Sequence, residues 1–221
     1  MHKLKPELIK LSAKERLYGV EIPIIGLTGG IATGKSSVSK FLIENSYPLI
    51  DADSLVKDIY TQAKTIQFIK SLAPSVIVNS SIDFKALRVL FFENSIIKAE
   101  IEKFIYSKLP GIFADKLSKL DLKNHNFIIY DVPLLFEKKL TAFFDLNILV
   151  YCNQNCQIER LMARDKITIE LAQQILASQI DIELKKSMSQ FCLSNESTIE
   201  SLHQNTKKLL LKLITQDNAQ Q

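Results

Sequence analysis

The stretch Gly29-Gly30-Ile31-Ala32-Thr33-Gly34-Lys35-Ser36 fills every specified position of the pattern G-x-x-x-x-G-K-[ST], and each specified residue type answers negative charge. Glycine lets successive backbone N–H groups turn inward around an anion. Lys35 supplies a point positive charge for the outer phosphates of ATP, and the Ser36 hydroxyl is a ligand suited to Mg²⁺. The helix expected from about Ser36 to Glu44 directs its positive N-terminal end at the same place, so Ser37 joins Gly29 to Ser36 as a candidate ATP-binding residue. A plain glycine-rich turn is the competing reading. Against it stand the apolar run Ile22 to Leu27 directly before the loop and the helical spacing of Val38, Phe41 and Leu42 after it.

A phosphate loop grips a polyphosphate and leaves the chemistry open, so other residues must choose among kinase, GTPase and motor or transporter ATPase. The chain has no guanine-reading Asn-Lys-x-Asp segment, and no apolar strand closing on adjacent acidic residues of the motor kind. Asp51-Ala52-Asp53 follows a short strand expected at Pro48 to Ile50, where a kinase would present its acceptor hydroxyl. Asp53 is either the carboxylate that orients that hydroxyl and accepts its proton, or the N-cap of a helix starting near Ser54; Asp51 carries the same ambiguity. Asp131 closes the apolar run Phe127 to Tyr130 and either binds Mg²⁺ through water or positions the transferring group, or else caps the following turn. Arg160 and Arg164, four apart, share a helical face that closes over phosphates as a lid or lies solvated; Arg88 faces an anionic group of the acceptor or a surface partner.

These residues need a scaffold, and the rest of the chain describes one. Its 221 residues, 47% hydrophobic and 24% charged, suit one main domain with insertions. A net charge of +4 is too small and too dispersed to argue for nucleic acid. Lys3, Lys5, Glu7, Lys10, Lys14, Glu15 and Arg16 break up any signal-peptide core, and no run is long enough to span a bilayer, so a cytoplasmic protein is expected. Cys152, Cys156 and Cys192 are odd in number, lack zinc spacing and are read as buried structural thiols. A short helix is expected around Leu8, Ile9 and Leu11, and a helical insertion between about Ser54 and Lys123, broken at Pro74 and ended or kinked at Pro110. Further strands are expected at Phe127 to Tyr130, Leu146 to Tyr151 and Phe191 to Leu193. A final helix has Ile199, Leu202, Leu209, Leu210 and Leu213 on one stripe, before a frayed glutamine-rich end. Alternating strands and helices around the loop predict an α/β fold of the P-loop kinase kind, a five-stranded parallel sheet with helices on both faces.

In order along the chain, Gly26-Leu-Thr-Gly-Gly-Ile-Ala-Thr-Gly-Lys-Ser36, Ile50-Asp-Ala-Asp53, Ala86-Leu-Arg88, Asp131-Val-Pro-Leu-Leu-Phe-Glu137, Ile158-Glu-Arg-Leu-Met-Ala-Arg-Asp165 and Ser178-Gln179 resemble the motifs of the dephospho-coenzyme A kinase family. The resemblance covers about Ile22 to Leu213. It implies transfer of the ATP γ-phosphoryl group to the ribose 3′-hydroxyl of dephospho-coenzyme A, with Mg²⁺ held in part by Ser36. It also implies three parts, a nucleotide core (22–53, 126–157 and 190–221), a helical acceptor domain (54–125) and a lid (158–189), while residues 1–21 are read from the sequence as an N-terminal extension before the first strand. Catalytic roles then fall to Asp53, Lys35 and Asp131, ATP contacts to the loop, Arg160 and Arg164, and acceptor contacts to Asp51, Asp53, Lys57, Arg88 and Tyr106. Several positions depart from the family's pattern: Tyr106-Ser107 stands where a His-Pro pair is usual, Lys57, Phe84 and Gln174 where Arg is usual, and Gln190 and Ser194 where acidic residues are usual. Lys57 keeps the charge of an arginine and loses its bidentate fork. The rival readings are a kinase of another small hydroxylic acceptor, such as a nucleoside or nucleotide, and a nucleotide-binding regulator that transfers nothing.

Overall fold

The structure, a computed structural model, describes residues 1–216. The glutamine-rich end beyond them, expected to fray, lies outside the described residues. The chain runs through β1 (His2–Leu4), β2 (Ile24–Gly29), α1 (Lys35–Glu44), β3 (Leu49–Asp51), α2 (Ala52–Tyr60), α3 (Ala63–Leu72), β4 (Ile77–Val78), β5 (Ser81–Ile82) and α4 (Phe84–Glu93). It continues through α5 (Ser95–Ser118), β6 (Ile128–Asp131), β7 (Leu146–Tyr151), α6 (Gln154–Asp165), α7 (Ile169–Ala177), α8 (Ile182–Met188), β8 (Phe191–Ser194), α9 (Ile199–Leu213) and β9 (Ile214–Gln216). Among the described residues two compact units emerge, one made of residues 1–50 with 120–216 and the other of residues 51–119.

The first unit is built on a five-stranded sheet in the order β3-β6-β2-β7-β8. The pairings of β2 with β6, β2 with β7 and β7 with β8 are all parallel. All six residues of β2 are buried, as the continuous apolar run required of a central parallel strand covered on both faces. Because its neighbours β6 and β7 continue the sheet in opposite directions, the carboxyl end of β2 opens at the switch point where α/β sheets bind ligands. The core on one face joins Ile25, Leu27, Val38, Leu42, Ile129, Ile148 and Val150 to Leu202, Leu210 and Leu213 of α9. On α9 the buried stripe is Leu202, Thr206, Leu210 and Leu213; Ile199, expected on it, is the first helical residue and is largely exposed.

The expected helix around Leu8, Ile9 and Leu11 is absent. Residues 6–8 make a single 3-10 turn, and the N–H groups of Lys10 and Leu11 go instead to Asp145 Oδ1, at 3.0 and 3.1 Å. Those donors are the ones a helix would have turned back on itself. The first residues form β1, which pairs antiparallel with β9, a two-stranded sheet that periodicity does not reveal because each strand is three residues long. Asp145 is the anchor of this extension. Fully buried, it accepts from Arg16 Nε at 2.8 Å, Arg16 Nη2 at 3.2 Å and the Ile24 N–H at 2.9 Å.

In the second unit, Ile59, Ile69, Val76, Leu87, Ile101 and Ile105 form a separate core, with Phe68 stacked on Phe104 at 4.1 Å. Pro74 falls in the break after α3, as expected, followed by a small β4–β5 hairpin that the sequence does not announce. The expectation that Pro110 ends or kinks a helix is not met by an end there: α5 runs through it for 24 residues. The proline removes one backbone bond, and the turns on either side are fixed by burial of Ile101 and Ile105 before it and Phe113 after it.

Asp145→Asn should destabilise the chain by roughly 3–5 kcal/mol near neutral pH, because it leaves the Arg16 guanidinium buried without a countercharge. Burial acts to raise the Asp145 pKa, but the Arg16 and backbone hydrogen bonds outweigh it and hold the carboxyl below the usual carboxylate range. Its stabilising effect is therefore complete above the ordinary carboxylate pKa and fades as pH falls through the lower folded value. Urea denaturation should show the gap between wild type and variant closing in that acid window; a gap of under about 1 kcal/mol at neutral pH would contradict the anchor role.

Candidate active site

The loop leaving β2 is shaped by two residues with positive φ, Ala32 at 58° and Gly34 at 91°. The second is a position that a side chain could not share: a Cβ there would lie 2.1 Å from Asn195 Nδ2. This shape leaves the backbone N–H groups of Ala32, Gly34, Lys35 and Ser36 without an acceptor among the described residues. Four donors at the start of α1, with the helix dipole behind them, form an anion nest. Ser36 is exposed and its hydroxyl has no protein partner among the described residues, which suits a hydroxyl kept for a cation. Ser37 Oγ instead meets His203 Nε2 at 3.1 Å, and His203 stacks on Phe41.

Three amide side chains hold the loop from outside. Gln157 Nε2 of α6 donates to Ile31 O at 2.7 Å, Asn195 Nδ2 after β8 donates to Thr33 O at 2.8 Å, and Gln179 Oε1 accepts the Ile31 N–H at 3.1 Å. Thr33 closes the loop internally through Oγ1 to Gly30 O at 2.9 Å. Gly30 is required for the close approach, since a Cβ would sit 2.6 Å from Gln157 Nε2. None of these amides stands out from sequence as a site residue. Gln179 belongs to one of the family-like motifs, but Gln157 and Asn195 give no signal, because an isolated amide has no spacing pattern to read.

Lys35 and Asp131 come together, a pairing that the sequence reading does not specify. Lys35 Nζ forms an ion pair with Asp131 Oδ1, and Ser39 Oγ donates to Asp131 Oδ2 at 2.5 Å. Asp131 is buried at the carboxyl end of β6, with its carboxylate turned toward Lys35 and Ser39 of α1. Ser39 is a further residue that sequence reasoning misses; it lies one turn into α1, buried although it stands off the apolar stripe of Val38, Phe41 and Leu42.

The two arginines expected to act together are separated by their partners. Arg160 Nη2 donates to Asn195 O at 3.0 Å, beside the loop clamp, while Arg164 is exposed and bound to its neighbour Asp165 at 2.7 and 2.8 Å. Arg160 also lies 3.7 Å from Cys152 Sγ. Burial, with nearby Cys156 adding to it, pushes the Cys152 thiol up to about 12, so it is protonated at neutral pH and not a nucleophile. The expectation of three buried cysteines fails for Cys192, which is exposed on β8, at the edge of the sheet, and Cys156 is only partly covered.

Asp51, Asp53, Lys57, Arg88 and Tyr106 belong to the second unit. The helix there starts at Ala52, two residues earlier than expected, and Asp51 is its N-cap, accepting the Asp53 N–H at 3.0 Å. The capping alternative thus falls to Asp51 and leaves Asp53 exposed in the first turn with its carboxylate uncommitted to a cap. Asp53, Lys57 and Tyr60 recur at helical spacing on one face of α2, opposite the buried Leu55 and Ile59. Burial raises the Tyr60 pKa, and Glu102 and Tyr106 of α5 raise it further. Arg88 is exposed on α4.

Residues 23–201 match the family model described as dephospho-CoA kinase. The chain belongs to the dephospho-CoA kinase family. It is 35% identical over 192 residues to the dephospho-CoA kinase of Fusobacterium nucleatum, covering 86% of this chain and 97% of that one. A solved dephospho-CoA kinase from Campylobacter jejuni superposes with a TM-score of 0.64 at 27% identity, over 86% of this chain and 96% of that one. The crystal structure of TT1252 from Thermus thermophilus superposes with a TM-score of 0.76 at 27% identity, over 87% of this chain and 98% of that one. As a member of this family the chain is a P-loop kinase that uses ATP, on the α/β fold expected from its sequence. Among the described residues no helix is long and apolar enough to cross a membrane.

Gly34→Ala tests the nest. It forces an L side chain into a left-handed conformation against Asn195, and should weaken ATP binding at least tenfold, or about 1.4 kcal/mol, in a calorimetric titration. Unchanged affinity would contradict the assignment of these N–H groups to phosphate.

Proposed function

We propose that this chain transfers the γ-phosphoryl group of ATP to the ribose 3′-hydroxyl of dephospho-coenzyme A, giving coenzyme A and ADP. The observation that carries the reading is a set of aligned, uncommitted phosphate donors, at Ala32, Gly34, Lys35 and Ser36, in a chain whose family match spans 23–201. The N–H groups hold the phosphates, and Lys35 moves its charge onto the outer ones, leaving Asp131 to position it. Mg²⁺, where bound, neutralises charge on the phosphate oxygens; Ser36 and Asp131 are the residues suited to hold it, Asp131 through water. Arg160, tied to the Asn195 carbonyl, is the nearer of the two arginines to the loop clamp and takes the nucleotide contact; Arg164 must exchange Asp165 for phosphate to share it.

On the acceptor side, Asp53 orients the 3′-hydroxyl and accepts its proton, and Asp51 holds the helix turn that presents it. Lys57, Arg88 and Tyr106 take the anionic and adenine parts of dephospho-coenzyme A, with Lys57 as a point-charge contact in place of a planar clamp. Residues 54–125 serve as the acceptor domain and 158–189 as the lid that excludes water, the competing acceptor. The remaining core comprises 22–53, 126–157 and 190–221, with 1–21 as an extension.

With Mg²⁺ and ATP, ADP release should become rapid only on adding dephospho-coenzyme A, in a panel that includes nucleosides and nucleotides. Faster turnover of another acceptor would sink the assignment. Asp53→Asn should keep ATP affinity and lose roughly 10²- to 10⁴-fold in kcat, the scale of general-base catalysis. Near-normal kcat in that variant would remove Asp53 from the chemistry.

A further inference from the structure

The segment that starts at Asp131 on Lys35 ends at Glu137, whose role the phosphate chemistry leaves unexplained. Glu137 meets Lys185 of α8, with Nζ 2.6 Å from Oε1; the lysine side chain has no exposed surface and the glutamate is largely buried. The contact lacks hydrogen-bond alignment, and Glu137 Oε2 has no hydrogen-bond partner among the described residues. A buried pair that leaves hydrogen-bonding capacity unused contributes little stability, because desolvation of two charges offsets their attraction.

Glu137 Oε1 also accepts the Ile180 N–H, at 3.4 Å. That N–H belongs to the peptide joining Gln179 to Ile180, and Gln179 is the side chain that takes the Ile31 N–H of the phosphate loop. Two residues on, Ile182 places Cδ1 3.2 Å from where a Gly30 Cβ would stand. The segment 179–182 is therefore bonded to the loop at Gln179 and lies beside Gly30 at Ile182. A cleft of about 220 Å³, lined among others by Gly30, Gln157, Gln179, Ile180 and Asp181, runs alongside, so close packing does not hold this contact on that side. Glu137 and Lys185 hold it from the other: Asp181 caps α8, and Lys185 lies one turn into that helix.

We propose that the Glu137–Lys185 pair is a positioning device for the phosphate loop: it fixes the 179–180 peptide so that Gln179 retains the Ile31 N–H and the loop stays in its ATP-receiving shape. The kinetic half of this role rests on the function proposed above, whereas the conformational half is read in the free protein.

Amide hydrogen exchange on the nucleotide-free full chain tests it, with Glu137→Leu combined with Lys185→Met as the pair-free variant. That combination leaves no unpaired buried charge, so it should melt near wild type. Ile31 should nevertheless exchange about tenfold faster in it, and about as fast in Gln179→Ala. Adding Gln179→Ala to the pair-free variant should bring no further gain, because both act on one bond. KM for ATP should rise by about tenfold while kcat at saturating ATP stays within about twofold, as expected when only uniform binding is lost. Unchanged Ile31 exchange in the pair-free variant, or effects that multiply with Gln179→Ala, would overturn the proposal. ATP turnover in wild type that ignores dephospho-coenzyme A would instead refute the acceptor assignment and leave the exchange result standing.

Discussion

Four backbone N–H groups without a protein acceptor among the described residues, at Ala32, Gly34, Lys35 and Ser36, are the constraint around which the first unit is organised. Unsatisfied donors at a helix N-terminus are costly unless water or a ligand takes them, and the described chain does not satisfy them from within. It keeps them aligned instead. Positive φ at Ala32 and Gly34 sets the loop, buried β2 delivers it to the switch point of the sheet, and Gln157, Gln179 and Asn195 bind its outward-facing groups. Such preorganisation favours a triphosphate because no reorganisation is needed when charge arrives.

The same logic explains the ion pair behind the nest. Lys35 is held by Asp131, itself fixed by Ser39. Pairing the lysine this way keeps its side chain ordered and near the loop, and binding ATP exchanges one anion for another. From Asp131 the chain runs through buried Leu135 and Phe136 to Glu137, so a single segment connects the lysine's counterion with the support of Gln179. The N-terminal extension adds a further tie. Asp145, just before β7, gathers Arg16 and three backbone N–H groups, and in doing so fixes the start of β2 through Ile24.

What is legible in the sequence follows from where information is local. The phosphate loop, the five strands and Asp131 are readable because pattern and apolar runs lie within a few consecutive residues. Asp51 and Asp53 stay ambiguous until the helix start is known, since a shift of two residues decides which of them caps α2. Gln157 and Asn195 act on the loop from 126 and 162 residues away, and no local pattern encodes such a contact. The β1–β9 pair, which joins the two ends of the described chain, is hidden for the same reason. Pro110 shows the reverse case: local rules allow an end or a kink, and with residues buried on both sides of it the helix does not end there.

The most direct test of the whole reading is the identity of the phosphorylated product. Phosphorus NMR of a reaction containing Mg²⁺, ATP and dephospho-coenzyme A should show a new monoester resonance coupled to the ribose H3′ proton, growing in step with ADP. ATP consumed to inorganic phosphate, or a monoester on any other hydroxyl, would contradict the transfer that the loop, Lys35 and Asp53 are argued to perform.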